Sequence, residues 1–175
     1  MNWGFPEFRL RQVALGREIR GKLYLSHLPG RCGDEASPQR TFANDQKQIA
    51  DASIASVVCL LDTAEIERKS IGYLWAINAG TLPWQTRHFP IADFAAPAAD
   101  ALRALADEIA RELHSGSNVL IHCAAGIGRT GTVATAVLLA LGASLAEAMT
   151  AVQSAGSGAE TDEQRSLLYK LALDQ

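Results

Sequence analysis

The residues best suited to chemistry lie in one decapeptide, His122–Gly131, which reads HCAAGIGRTG. Cys123 offers a sulfur nucleophile, and Arg129 offers a planar guanidinium able to hold two oxygens of one oxyanion. Between them Ala124, Ala125, Gly126, Ile127 and Gly128 form a short loop. Asn118–His122 (NVLIH) just before it is a compact apolar run of the strand type, and an apolar helix is expected from about Thr130. A loop that joins a strand to a helix N-terminus turns successive N–H groups inward, and the helix dipole adds positive potential there. Gly126 and Gly128 let the backbone close on an anion without a Cβ in the way. A cysteine opening such a loop is in the setting that stabilises thiolates. The pattern predicts attack by Cys123 on a phosphate monoester, with Arg129 and the amides of residues 124–129 binding the phosphate oxygens. Thr130 is expected to donate a hydrogen bond to the Cys123 sulfur, making it a better leaving group in the second step. His122 is expected to orient the loop rather than to act as a base. A buried cysteine at a tight turn would leave the arginine at the mouth of an apolar helix unexplained.

Loss of an alcohol or phenol from phosphorus is easier when the leaving oxygen is protonated. Asp93, 30 residues before Cys123 and bracketed by Pro90 and Pro97, is the candidate donor; capping the following helix is its alternative role. Asp100 and Asp107 fall on the exposed face of that helix, and Asp62 ends a strand near enough to line a cleft. Gln164 completes a Thr161-x-x-Gln164 capping-box pattern. Cys59, in a neighbouring apolar strand, is a small buried hydrophobe or a partner for Cys123 under oxidation. Cys32 carries no assigned role. Tyr73, Trp75 and Trp84 read as packing residues, and His27, His88 and His114 are too scattered for a metal site.

The elements that must position these groups alternate between strand and helix. Strands are expected at Gly21–Leu25, Ala55–Leu61, His88–Ile91 and Asn118–His122. Helices are expected around residues 44–52, then from Pro97 as first-turn proline through Leu102, Leu105, Ile109 and Leu113 to a stop at Ser115-Gly116. The helix from Thr130 follows, then two more announced by Ser144/Glu147 and Thr161/Gln164. Residues 66–80 are mixed in character. This order predicts an α/β fold, a mostly parallel central sheet with helices on both faces. Residues 1–20 read as an irregular lead and 21–175 as a single catalytic domain.

Composition narrows the rest. A chain of 175 residues, 48% hydrophobic and 20% charged, has the balance of one globular domain. A net charge of −3 argues against a nucleic-acid binder. Met1–Leu10 lacks the pattern of a secretory signal, and the most apolar run, Thr132–Leu141, is about half the length of a membrane span. Three cysteines cannot all pair and lack metal-ligand spacing, so a soluble protein of a reducing, cytoplasmic compartment is expected.

The decapeptide also resembles the signature of the protein tyrosine and dual-specificity phosphatases, a resemblance that extends from about Lys22 to the C-terminus. Three flanking stretches, GKLYLSHLPGR, HFPIADFAAP and TDEQRSLLY, look most like the small kinase-associated phosphatase type. The resemblance implies a dual-specificity-phosphatase-like fold and a phosphocysteine intermediate. It also implies that Asp93 is the general acid and then the base for water, that Gln164 positions that water, and that no metal or organic cofactor is needed. The expected substrate is phosphotyrosine in a protein or peptide, with phosphoserine and phosphothreonine left open. Rivals on the same scaffold are phosphoinositide or inositol phosphate hydrolysis, disfavoured by Ala124, Ala125 and Ile127 where such enzymes place lysines, and RNA 5′-phosphate hydrolysis. Further rivals are a non-catalytic phosphate-binding module and a sulfur-transfer domain.

Overall fold

The computed structural model describes residues 7–31 and 38–174, with the side chains of residues 38–41 left aside. Cys32 lies outside the described residues. The order is β1 (Arg11–Gln12), β2 (Leu23–Ser26), α1 (Pro38–Asp51), β3 (Ile54–Cys59), α2 (Thr63–Lys69), α3 (Ile71–Ala79), β4 (Gln85–His88), α4 (Ala99–Ser115), β5 (Asn118–His122), α5 (Gly128–Ala140), α6 (Leu145–Ser154) and α7 (Asp162–Leu173). The strands form one sheet in the order β1-β2-β5-β3-β4, flanked by helices on both faces. β2, β5, β3 and β4 run parallel, and β1 is an antiparallel edge. This is the expected α/β architecture. Among the described residues no helix is long and apolar enough to cross a membrane.

The central strands are apolar because both faces are covered. Val57, Val58, Val119, Leu120 and Ile121 are fully buried, and β5 sits between β2 and β3. α4 turns Leu102, Leu105, Ile109 and Leu113 inward, as their spacing predicts, and Gly116 closes it in a left-handed conformation with φ 98°. Asp100 and Asp107 are exposed on the same helix. Both predicted capping boxes are present, at Ser144/Glu147 and Thr161/Gln164.

Several elements depart from the sequence reading, each for a physical reason. The last parallel strand is Gln85–His88, ahead of the apolar His88–Ile91 run; it pairs only with β3 and is half-exposed, so it needs no apolar pattern. The run that follows still leans on β3, with Phe89 N–H donating to Cys59 O at 2.9 Å and Ile91 N–H to Leu60 O at 3.0 Å, while Pro90 has no N–H to continue the ladder. Pro97 precedes the Ala98 cap instead of occupying the first helical turn. Residues 66–80, mixed in sequence, hold most of α2 and all of α3. Asp62 caps α2 by accepting from Glu65 N–H at 2.7 Å, and that exposed capping duty takes it out of the cleft. Inside the lead, β1 pairs with β2, and Phe8 and Val13 are buried in the core. Trp84 is buried, but Trp75 is 46% exposed and so is not a core residue.

All four parallel strands point their carboxyl ends the same way, where ligands bind in open α/β sheets. The glycine loop follows β5, residues 60–65 follow β3, the Asp93 segment follows β4 and residues 27–31 follow β2. α5 is clamped beneath this end because Gly131 meets the 156–158 turn directly. A Cβ on Gly131 would stand 2.2 Å from Gly158 N. Gly131→Ala is therefore expected to lower unfolding free energy by about 1–3 kcal/mol, read as a lower urea midpoint with an unchanged slope.

Candidate active site

Residues 123–129 follow β5, and the carbonyls of Cys123, Ala124, Gly126 and Ile127 find their partners on the outer side of this loop. Leu60 N–H donates to His122 O at 3.0 Å, and His122 Nδ1 lies 3.5 Å from Cys123 O. Ala124 O accepts from Leu28 N–H at 3.3 Å and from Arg31 Nη1. Gly126 O accepts from Arg11 Nη2 at 2.6 Å and from the Ser157 hydroxyl at 2.9 Å. Ile127 O accepts from Gly131 N–H at 2.6 Å and from the same Ser157 hydroxyl at 2.9 Å. In a trans peptide the N–H points opposite to the C=O, so outward carbonyls at 123, 124, 126 and 127 turn the amides of 124, 125, 127 and 128 inward. The Gly126 amide donates to Cys123 Sγ at 3.2 Å. Gly126 adopts φ 74°, and a Cβ there would stand 2.3 Å from Ser26 O, so the turn needs glycine for both reasons.

Arg129 is buried, and both of its terminal nitrogens have partners. Its Nη1 donates to Glu65 Oε2 at 2.7 Å and to Ile91 O at 2.9 Å, and its Nη2 to Glu65 Oε1 at 3.2 Å. The same Nη2 lies 3.1 Å from Asp93 Oδ1, whose side chain is otherwise largely exposed. Burial works against the arginine's charge, but the Glu65 carboxylate, the Cys123 sulfur and Asp93 raise its pKa above the ordinary value. Burial likewise opposes the Glu65 charge, and the bidentate guanidinium more than offsets it, leaving that carboxyl below its usual range. Sequence reasoning did not find Glu65. The only local signal was a carboxylate in the first turn of α2, just past β3, whereas its partner is 64 residues away.

A cleft of about 160 Å³ opens over the loop, and Cys123, Ala124, Ala125, Gly128, Arg129, Asp93 and Gln164 all line it. Arg31, Lys69, Phe94 and Glu160 complete its walls. Phe94, next to Asp93, is 61% exposed and holds φ 60°, a left-handed conformation that bulky side chains avoid. Gln164 is buried and occupied in two ways. Its Oε1 accepts from Glu160 N–H at 2.9 Å and its Nε2 donates to Ala95 O at 3.0 Å, which ties the Asp93 segment to the start of α7.

His122 is buried, and burial pushes its pKa down to about 3, against the lift from its bond to the Cys123 carbonyl. Its Nε2 meets the Tyr73 hydroxyl at 3.1 Å inside the core. Tyr73 is thus a polar support for the histidine as well as a packing residue. The expected Thr130-to-sulfur hydrogen bond is not formed. The Gly126 amide holds the sulfur instead, and the Thr130 hydroxyl is buried without a partner. Cys59 and Cys123 are both free thiols, and burial pushes the Cys59 thiol up to about 12. The remaining histidines serve the scaffold, His27 against Leu28 O, His88 against Leu61 O and His114 against Ala110 O.

With this geometry in place, comparison with known proteins is decisive. The family model described as Tc-R-P, polymorphic toxin system, DSP-PTPase phosphatase, matches residues 32–143, more than half of the chain. The chain belongs to that DSP-PTPase phosphatase family. No curated protein matches the phosphatase. Its fold is similar to a crystal structure of kinase associated phosphatase with the catalytic-site cysteine changed to serine, at TM-score 0.79 and 22% identity over 97% of this chain and 96% of that one. It is also similar to Tk-PTP in the active form, at TM-score 0.66 and 26% identity over 92% of this chain and 100% of that one. A third likeness is PTPMT1 in complex with PI(5)P, at TM-score 0.64 and 15% identity over 91% and 94%. These likenesses show a shared fold, and the family itself rests on the matching model.

The phosphatase depends on Glu65 to hold its arginine. Glu65→Gln keeps the shape but removes the charge, leaving a buried guanidinium short of its partner. We expect kcat/KM to fall roughly tenfold to hundredfold, with a lower thermal midpoint in the same sample.

Proposed function

We propose that the phosphatase hydrolyses phosphotyrosine in proteins or peptides through a phosphocysteine at Cys123. The observation that carries this reading is one small cleft lined together by Cys123, Arg129 and Asp93. In the first step the Cys123 thiolate attacks phosphorus in line with the leaving oxygen. Inward amides of residues 124–129 and the Arg129 fork take the equatorial oxygens, whose charge they stabilise as it redistributes. An entering phosphate competes with Asp93 for Arg129 Nη2, so binding frees Asp93 to protonate the departing phenol oxygen. In the second step Asp93 takes a proton from water, which attacks phosphorus and releases Cys123. Gln164, beside the Asp93 segment, is the group we assign to positioning that water. Thr130, with its unpartnered hydroxyl, is assigned to the sulfur as it leaves. His122 stays neutral and orients the Cys123 carbonyl. Nothing in this sequence of steps calls for a metal or organic cofactor, and a reduced sulfur suits a reducing compartment such as the cytoplasm.

A second reading is hydrolysis of a phosphoinositide. Arg31 and Lys69 favour it as cations that line the cleft wall, where Arg31 also donates to Ala124 O and Lys69 lies 3.4 Å from Glu65 Oε1. The apolar Ala124, Ala125 and Ile127 within the loop weigh against it. Phosphotyrosyl peptides, phosphoseryl peptides and phosphoinositides assayed side by side separate the two.

Cys123→Ser is expected to abolish turnover of p-nitrophenyl phosphate while vanadate binding stays measurable; undiminished turnover would falsify the mechanism. Asp93→Ala should lower kcat most for aryl phosphates with poor leaving groups, by roughly a hundredfold or more, and least for good ones. A leaving-group series that is slowed uniformly would remove Asp93 from the acid role.

A further inference from the structure

Arg11 lies 115 residues before Gly126 in sequence, yet its guanidinium ends against the outer side of the phosphate loop. The side chain leaves the short edge strand β1 and serves two segments at once. One terminal nitrogen, Nη2, donates to Gly126 O at 2.6 Å. The other, Nη1, donates to Ala155 O at 3.0 Å and to Gly156 O, in the turn between α6 and α7. Room for this planar fork is made by glycine on both sides. A Cβ on Gly126 would stand 2.7 Å from Nη2 and one on Gly156 would stand 3.0 Å from Nη1. Both glycines hold positive φ, 74° and 71°.

We propose that Arg11 is a positioning residue of the phosphate loop. Its guanidinium fixes the Gly126–Ile127 peptide with the carbonyl outward, which turns the Ile127 amide toward the bound oxyanion, and it anchors that peptide to the α6–α7 turn. The inference rests on the loop being a phosphate site. Ser157 reinforces it by donating to the same Gly126 oxygen at 2.9 Å, so two donors from different segments hold one peptide plane. Burial lowers the Arg11 pKa from its ordinary value, while the nearby Cys123 sulfur works in the opposite direction. A cation is thus kept beneath the anion site in spite of the desolvation it suffers. Lysine cannot reproduce the arrangement, because a single ammonium lacks the rigid fork that reaches carbonyls in two directions.

The test compares Arg11→Gln, Arg11→Lys and Val13→Ala in the full chain, the last loosening the same buried segment without touching the loop. Three quantities are read: the thermal midpoint, kcat and KM for p-nitrophenyl phosphate, and the inhibition constant for vanadate. Arg11→Gln is expected to lower kcat and weaken vanadate roughly tenfold to hundredfold, with a smaller change in KM, and millimolar guanidinium should restore part of both. Arg11→Lys should fall between it and the wild type. Val13→Ala should lower the thermal midpoint while kcat and vanadate affinity stay within twofold of wild type. If Arg11→Gln loses thermal stability alone, or if Val13→Ala loses vanadate affinity in step with its midpoint, Arg11 is a general brace and the proposal fails. Should Arg11→Gln not fold, the cycle of Arg11→Lys with Ser157→Ala decides. Non-additive losses in vanadate affinity support a shared peptide plane, and additive losses overturn it. A wild-type chain that binds no vanadate overturns the phosphate-site reading together with this one, whereas wild-type binding that survives Arg11→Gln overturns this one alone.

Discussion

A ring of inward amides exists only where the carbonyls of the same peptides are held elsewhere. That constraint governs this end of the molecule. Each peptide in a seven-residue loop would otherwise choose its own orientation, and amides left free would compete with carbonyls for the interior. Here the outer partners come from the segments just after β2 and β3, from β1, the start of α5 and the α6–α7 turn. They include Leu28, Arg31, Leu60, Arg11, Gly131 and Ser157. None of these contacts touches a substrate. They determine instead that several donors converge before any ligand arrives, which is what lets such a site stabilise charge without reorganising during the reaction.

The sheet supplies the second level of order. Four parallel strands end on one side, so chain segments distant in sequence arrive at the same place. β5 is central, and the strands beside it deliver the arginine's carboxylate partner and the outer clasp. The edge strand β4 leads into the connection between Pro90 and Pro97 that carries Asp93. The buried Glu65–Arg129 pair links the segment after β3 to the helix after β5. An ion pair out of water is poor as a source of stability, since both groups lose hydration. Its use here is directional, fixing a planar fork at one angle in the cleft that Cys123 also lines.

The parts of the site legible in the sequence are those that local physics determines. A strand, a glycine turn and a helix N-terminus are encoded within residues 118–140, so the anion loop, the sulfur and the guanidinium could be placed relative to one another from spacing alone. The inward stripe of α4 and the two capping boxes were legible for the same reason. What escaped depends on distant partners. Glu65 and Arg11 look like ordinary surface charges until folding brings them against atoms 64 and 115 residues away in sequence. β1 has two polar residues and no periodicity to read. α3 is apolar without a helical stripe, because neighbours on more than one side cover it. The Thr130 hydroxyl makes no hydrogen bond in this state, a detail of side-chain geometry that spacing along the chain does not specify.

Phe94 carries a consequence for the wall of this cleft. An aromatic residue in a left-handed backbone conformation costs about 1–2 kcal/mol, and the cost falls on the residue immediately after Asp93. Any arrangement that lets this backbone relax to negative φ is favoured by that amount, equivalent to a bias of about fivefold or more in population. The strain thus sits on the segment that carries Asp93, and the Gln164-to-Ala95 bond on its far side ties that segment to the start of α7.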